Sequence, residues 1–492
     1  MSLLVPGDTC WRIAPADRVA FLIDTEAYFT ALYEAFRKAR RSILILGWAF
    51  DPRTRLFPDG HDGPNDPDEV GHVLLDLARE RPDLDIRLLI WKSALPIAAT
   101  QEFFPHKARA WFRDSRVRFH LDDKVPLGAC HHQKAVVIDD RLAFCGGGDI
   151  GVDRWDTPGH LEHDLRRIMP DQDCHDPRHE VMVMADGAAA RTFGDHFRER
   201  WRCATGETLS PPPEAGGDPW PDHIPPHVTD TRVGVARTAP PWQDQPDVHE
   251  IRDLALASIA AARETIYLEN QYFTSPLIAE ALANRLGEPE GPEVVLISTG
   301  RSPSWFDKLT MDNARANTVW RLRAADVFGR FRAFYPVTAA GSKIIVHSKV
   351  SVFDDRLARI GSANLNNRSF GFDTEIEVAL EAEDESARRV VAAFRDRLVA
   401  HFLGYTGDAV SKARAERGGL IPAIDALNRE GRLRPIELTR RSAFGVFTAA
   451  YHLGDPASPE DAWRPWRRRD CLYRDALPAR VQRRSKSITS GR

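Results

Sequence analysis

The sequence predicts an α/β protein assembled from two copies of one unit, and three observations carry this. The pattern His-x-Lys-x4-Asp occurs twice, at His132, Lys134 and Asp139 and at His347, Lys349 and Asp354, 215 positions apart. Each copy runs into the same five residues, Asp-Asp-Arg-Leu-Ala, at 139–143 and 354–358. Amphipathic helices and short apolar strands alternate in the same order around both copies, which is the pattern of a layered α/β architecture.

The elements follow in order. Phe29, Leu32, Tyr33 and Phe36 fall at i, i+3, i+4 and i+7, one face of a helix, with Asp24 or Thr25 placed to cap it. Arg40 and Arg41 end it, and the apolar run 42–48 reads as a buried strand. A loop rich in Asp, Pro and Gly spans 51–68, followed by a helix over 70–79 and a strand over 85–91. The second half repeats this with a helix through Ile251, Leu254, Ala255, Ile259 and Ala262, then strands over 266–273 and 293–298. Matched elements are offset by 223, 208 and 215 positions, so the halves differ by small loop changes. Each half ends in a helix, 190–201 and 389–402. The Pro- and Gly-dense stretch between them reads as a linker. The expected division is a first lobe over 1–209, a linker over 210–231, a second lobe over 232–407 and an extension over 408–492. That extension is expected to be partly helical to about 454, with a basic, Ser-rich, disordered tail from 480.

A chain of 492 residues exceeds one small core, so two or three domains are expected. Its 43% apolar and 28% charged residues are the balance of a soluble globular protein. A net charge of −4 supplies no global basic field, so no nucleic-acid partner is expected. The six cysteines are scattered and fit a reducing compartment. Residues 1–14 lack the pattern of a signal peptide. The best apolar run, 42–50, has nine residues, too few for a membrane helix. The expected location is cytoplasmic, touching membranes peripherally if at all.

Alternate side chains on a strand share a face. Each motif strand therefore presents one imidazole and one ammonium on one surface, while 135–138 and 350–353 are apolar and belong to the core. If the halves face each other, His132, Lys134, His347 and Lys349 converge. That set suits a phosphodiester: one imidazole attacks phosphorus and the other protonates the leaving oxygen. The lysines hold the non-bridging oxygens, and Asn364 adds a neutral donor. No cofactor or metal is needed, and a nearby ammonium opposes cation binding. A lone histidine in a strand is ordinarily structural; the duplicated frame is what favours chemistry here. Asp139 and Asp354 stand at strand-to-turn boundaries, where an Asp bonds local backbone, so they are taken as supports of the site. A zinc set of Cys130, His131, His132, Cys174, His175 and His179 lacks paired C-x2-C spacing and has no counterpart in the second half, so it is not favoured.

These residues resemble the phospholipase D superfamily, whose members carry two His-Lys-Asp motifs. The segments 361–369 and 373–377, Gly146-Gly147-Gly148-Asp149-Ile150 with Arg154-Trp155-Asp156-Thr157, and 266–273 are similar to that family's sequence around its motifs. The resemblance covers about 43–402. It implies a two-lobed α/β/α sandwich with pseudo-twofold symmetry, an active site between the lobes, and a phosphohistidine intermediate without an obligatory metal. Carried over, His132 is the nucleophile and His347 the acid, then the base. The family orients an imidazole with an acidic residue about 28 positions past the motif His. Glu375 stands there in the second half; Glu180 is chosen in the first, where 174–180 departs from the family pattern. Asp149, opposite Asn364, favours a phospholipase D over a cardiolipin synthase. The resemblance thus implies hydrolysis of a phospholipid at a membrane surface to phosphatidic acid and free head group, with transfer to an alcohol also open. A cardiolipin synthase-type phosphatidyltransferase is the alternative, a nuclease the third reading, and a catalytically dead lipid-binding scaffold the reading from another class. Trp463, Trp466 and Arg467-Arg468-Arg469 are candidates for lipid docking.

Overall fold

The computed structural model describes residues 2–58, 68–93, 105–214, 216–243, 245–302, 305–437, 454–459 and 461. Part of the Asp/Pro/Gly loop, the tryptophan and arginine docking candidates and the basic tail lie outside the described residues.

The first half runs β1 (Arg12–Ile23), α1 (Thr25–Lys38), β2 (Ser42–Gly47), α2 (Val70–Glu80), β3 (Asp85–Trp91), α3 (Pro105–Trp111), β4 (Arg118–Asp122), β5 (Ala135–Ile138), β6 (Leu142–Gly146), β7 (Arg178–His179), β8 (Val181–Asp186) and α4 (Ala188–Thr205). The second runs β9 (Val228–Ala239), β10 (Val248–His249), α5 (Glu250–Ala261), β11 (Thr265–Asn270), α6 (Pro276–Leu286), β12 (Glu293–Ile297), α7 (Trp305–Ala325), β13 (Phe331–Pro336), β14 (Ile345–Val346), β15 (Lys349–Phe353), β16 (Leu357–Gly361), α8 (Asn367–Gly371), β17 (Glu375–Glu381) and α9 (Glu385–Leu403). Helices α10 (Gly407–Arg417) and α11 (Leu420–Leu427) and strand β18 (Leu433–Pro435) follow.

The duplication is visible in the strand order. The first half reads β4-β3-β2-β5-β6-β8-β1 and the second β13-β12-β11-β15-β16-β17-β9. β2, β3 and β4 run parallel, as do β11, β12 and β13. The inner strands β2, β3 and β12 are nearly all buried and mostly apolar, as strands covered on both faces must be. The halves fuse where β1 pairs antiparallel with β9, so one sheet runs through the molecule. One face is covered by α4 and α9, through Phe193, Phe197, Trp201, Val391, Phe394 and Leu398. The other is covered by α1 and α2 in the first half, through Phe29, Phe36, Val73 and Leu77, and by α5 to α7 in the second, through Ile251, Leu254, Leu282 and Leu322. This is a mixed α/β/α fold.

Three readings are corrected. β1 was not foreseen, because Pro15 and Asp17 interrupt its apolar pattern; it forms because β8 and β9 pair with it on both sides. β9 begins at Val228, inside the stretch read as linker, because Val228 and Thr229 pair with Val19 and Arg18. Asp24 occupies the N-cap of α1, yet its carboxylate makes no cap bond; it is buried in a histidine cluster described below. Among the described residues no helix is long and apolar enough to cross a membrane.

Candidate active site

Strand pairing places the two motifs. β5 and β15 are central, each flanked by a parallel trio on one side and a hairpin partner on the other. The histidines precede the ladder, so the simple picture of His and Lys two apart within one strand needs adjusting. β5 starts at Ala135 and β15 at Lys349. The reason is that each motif histidine leaves its own sheet to bond the other half. His132 N donates to Thr374 O at 3.0 Å, and His347 N donates to His179 O at 2.9 Å. A single parallel bridge, His131 with Thr374, matches the short ladder of β7 with β14.

The side chains follow the same crossing. His132 Nδ1 lies 3.0 Å from both carboxylate oxygens of Glu375. His347 Nδ1 lies 2.6 Å from Glu180 Oε2. Each imidazole is thus oriented by the glutamate of the opposite half. Among the described residues neither Nε2 has a hydrogen-bond partner, which leaves that nitrogen for a ligand. Lys134 Nζ donates to His132 O at 2.9 Å and lies 3.3 Å from Asp149 Oδ2. Lys349 Nζ donates to His347 O at 2.5 Å and to Gln271 Oε1 at 3.2 Å.

Burial pushes both imidazoles well below their usual range. Lys134 and then Lys349 add to this at His132; Lys349, then Arg154, Arg178 and Lys134 add to it at His347. Both ammonium groups therefore act on both imidazoles, so the four motif residues form one site. Burial also pushes Glu375 up to about 8, against the hydroxyls of Ser362 and Ser369, which donate to it. It pushes Glu180 up to about 7 against Lys349, Arg178 and Arg154, and Lys349 down to about 7. Burial and the neighbouring cations thus favour the neutral form of each imidazole, which is the form with a lone pair to give.

The halves are not identical in detail. Ser362, a donor to Glu375, stands 215 positions after Gly147. A Cβ at Gly147 would come within 2.5 Å of Glu180 Oε1 and 2.9 Å of both His347 O and Lys349 Cδ, so only glycine admits this approach of the two halves. Asp149 is tied to the amides of Trp48 and Ala49 and faces Lys134. Its counterpart Asn364 is buried, and its Oδ1 has no hydrogen-bond partner. Sequence reasoning missed Ser362, Ser369, Gln271, Arg154 and Arg178 as site neighbours. For Ser362 the signal was available, in the 215-residue offset.

Asp139 and Asp354 are not brought to the imidazoles. They lie at the opposite ends of β5 and β15. Asp139 accepts from the amides of Arg40, Arg41 and Ser42 at 2.6–2.8 Å. Asp354 accepts from those of Arg263, Glu264 and Thr265. The backbone they bond is distant in sequence, at the start of β2 and β11, so each staples a motif strand to its antiparallel neighbour. The set Cys130, His131, His132, Cys174, His175 and His179 does not assemble either. His131 Nδ1 meets Thr374 Oγ1, His132 meets Glu375, and Cys174 is exposed.

Comparison with known proteins agrees with this geometry. A family model described as "Phospholipase D" matches residues 35–213, and one described as "Cardiolipin synthase, PLD-like domain" matches 255–398. The chain is 22% identical to Phospholipase D1 of Schizosaccharomyces pombe over 82% of its own length and 36% of that protein's. It is 25% identical to cardiolipin synthase A of Pseudomonas aeruginosa over 75% of this chain and 67% of that one. The chain thus spans about a third of the length of the fission-yeast relative. A crystal structure of phosphatidylserine synthase from Haemophilus influenzae Rd KW20 shares the fold, with a TM-score of 0.52 at 12% identity over 84% of this chain and 96% of that one. With one such model on each half of a duplicated frame whose two motifs meet in a single site, the chain belongs to the phospholipase D superfamily.

Proposed function

We propose that this chain is a phosphodiesterase that hydrolyses phospholipids to phosphatidic acid and a free head group through a phosphohistidine. The observation that carries the reading is the crossed pair. Two imidazoles have Nδ1 held by buried glutamates and Nε2 open, with two ammonium groups beside them.

In this reading the negative charge of the bound phosphodiester lets His347 take up a proton; His132 Nε2 then attacks phosphorus and forms the P–N bond, while the head-group oxygen leaves with that proton from His347. Glu375, hydrogen-bonded by two serine hydroxyls, takes up the positive charge that develops on His132. Arg154, Arg178 and Lys349 around His347 destabilise its imidazolium, which makes it a stronger acid toward the leaving oxygen. The two environments differ, with serine-bonded Glu375 at His132 and Arg154 and Arg178 at His347, and a division into acid and nucleophile needs such a difference. Lys134 and Lys349 bind the non-bridging oxygens and offset their charge in the transition state. His347, now neutral, then takes a proton from water. The hydroxide attacks phosphorus, the P–N bond breaks, and phosphatidic acid leaves. The lipid is reached from the membrane surface, by a protein located in the cytoplasm.

The purified chain, incubated with mixed phospholipid vesicles, should give phosphatidic acid by mass spectrometry. Added ethanol should give phosphatidylethanol at its expense, since a covalent intermediate partitions between acceptors. Diacylglycerol as product, or no ester at high ethanol, would sink the scheme. The second-half match to a cardiolipin synthase model favours one alternative. In it a second phospholipid's hydroxyl replaces water; cardiolipin from phosphatidylglycerol vesicles, in excess over phosphatidic acid, would select it.

A further inference from the structure

We infer that Asp24, His160, His179 and His401 form a binding site for one divalent transition-metal ion of the zinc class, bridging the two halves beside the active site. One ligand atom from each of the four lies within 4.8 Å of all the others. They come from four separate places: the turn before α1, the loop after β6, the end of β7, and α9 in the second half. Asp24 is 1% exposed and its Oδ2 accepts no hydrogen bond. That oxygen is aimed at the cluster, 3.3 Å from His401 Nε2 and 3.8 Å from His160 Nε2. The two Nε2 atoms are 2.9 Å apart. Ligands of a tetrahedral zinc, with bonds of about 2.0–2.1 Å, sit roughly 3.3 Å from one another, so these three separations bracket the required edge.

The surroundings match what a metal-bound imidazole needs. Such a ring donates its other N–H to a carboxylate, which fixes the tautomer and strengthens the ligand. His160 has Nδ1 2.8 Å from Asp156 Oδ2, which leaves Nε2 for the ion. His179 has Nε2 3.0 Å from Glu269 Oε2, which leaves Nδ1. That Nδ1 now faces Asp24 Oδ1 at 2.8 Å; binding would replace its proton. A purely hydrogen-bonded cluster explains less. It must put a proton between two imidazole nitrogens and still leave a buried carboxylate oxygen without a donor. Three imidazoles and one carboxylate suit zinc, nickel or copper and not calcium or magnesium. Solvent has a route to the site, because His401 lines a cavity of about 450 Å³ with His227, Arg397 and Tyr405. Asp24 N donates to Glu180 O, and Ser348 Oγ donates to Glu269. The ion would therefore brace the backbone that carries Glu180 and the second motif, without touching the reacting phosphate.

The test uses the whole chain, purified without a metal-affinity step, stripped with chelator and titrated with cobalt(II), then zinc(II). One cobalt per chain should give the intense visible bands of a tetrahedral site, one equivalent of zinc should abolish them, and zinc should raise Tm by several degrees. His160→Ala, His401→Ala and the near-isosteric Asp24→Asn should each lose the bands, while surface His72→Ala keeps them. A folded, stripped wild-type chain that gives no tetrahedral bands and no Tm shift overturns the proposal, whether or not the variants fold. Bands that persist in all three variants also overturn it. None of these readouts depends on phosphodiesterase activity.

Discussion

On the proposed mechanism, the crossed pairing of histidines and glutamates gives each half-reaction a carboxylate, and Glu375→Gln and Glu180→Gln should separate them. If His132 forms the bond to phosphorus, its partner is Glu375, 3.0 Å away and in the other half. The amide keeps the shape but can neither ionise nor accept a proton from the developing imidazolium, as the carboxyl of Glu375 can. A hydrogen bond to a charged group contributes about 1.5–3 kcal/mol, so the attack should slow about 10- to 150-fold. The assay is stopped-flow release of p-nitrophenol from a p-nitrophenyl phosphodiester. This leaving group departs without a proton, so the first step reports on the nucleophile alone. Glu375→Gln should slow the burst. Glu180→Gln should keep the burst and slow turnover, because His347 can no longer be held to activate water. The histidine variants extend the argument: His347→Ala should burst once and stall as a phosphoenzyme, and His132→Ala should show neither burst nor adduct. A burst lost in Glu180→Gln and kept in Glu375→Gln would reverse the roles of the histidines. Equal slowing of both phases in both variants would refute the division of labour itself.

Other perturbations test the remaining parts of the site. Activity should fall on both sides of a narrow maximum. The acid limb lies below 6.5, because burial and two lysines push His132 under its ordinary value and protonation removes the nucleophile. The alkaline limb begins near 7, where Lys349 loses its proton; Lys349→Arg, always charged, should abolish that limb in a kcat/KM profile while lowering the maximum. Gly147→Ala should lose activity and about 1–3 kcal/mol of stability, since its Cβ meets Glu180 and His347 O; an unchanged kcat would count against the close approach. Asp139→Ala should leave three amides without their acceptor, lowering denaturant stability by about 1–3 kcal/mol while kcat per folded molecule stays unchanged. A fall in kcat with stability intact would instead place Asp139 in the chemistry.

The motifs, the duplication and most central elements were legible because each leaves a local trace. A buried parallel strand is a continuous apolar run, and a repeated unit repeats its offset. What escaped is what depends on contacts between halves. A fixed spacing points from His347 to Glu375, 28 positions on in the same half, whereas the chain topology hands that glutamate to His132. Asp24 carries the composition of a helix cap, and nothing local says that its carboxylate is needed elsewhere. Its backbone gives a hint only in three dimensions, at φ 65° and ψ 160°, a region rarely held by a residue with a side chain. β1 was hidden for a related reason: its partners on both sides, β8 and β9, lie more than 150 positions away.

The crossing also bears on why the duplicated frame stays in one piece. A half folded alone would hold an imidazole without its carboxylate and a buried glutamate without its imidazole. It would also expose β1 or β9 as a long unpaired edge. The backbone bonds that cross are matched, His132 N to Thr374 O and His347 N to His179 O, so the two histidines are placed alike. Everything that distinguishes them therefore lies in what surrounds them. Two serines donate to Glu375, while Gly147 stands where Ser362 does, and of the four cations that act on His347, Arg154 and Arg178 are not among those that act on His132. In the proposed mechanism, symmetry of the backbone would bring two equivalent imidazoles to one phosphate, and the task of setting their proton affinities apart, so that one attacks while the other donates, would fall to the few side chains that differ.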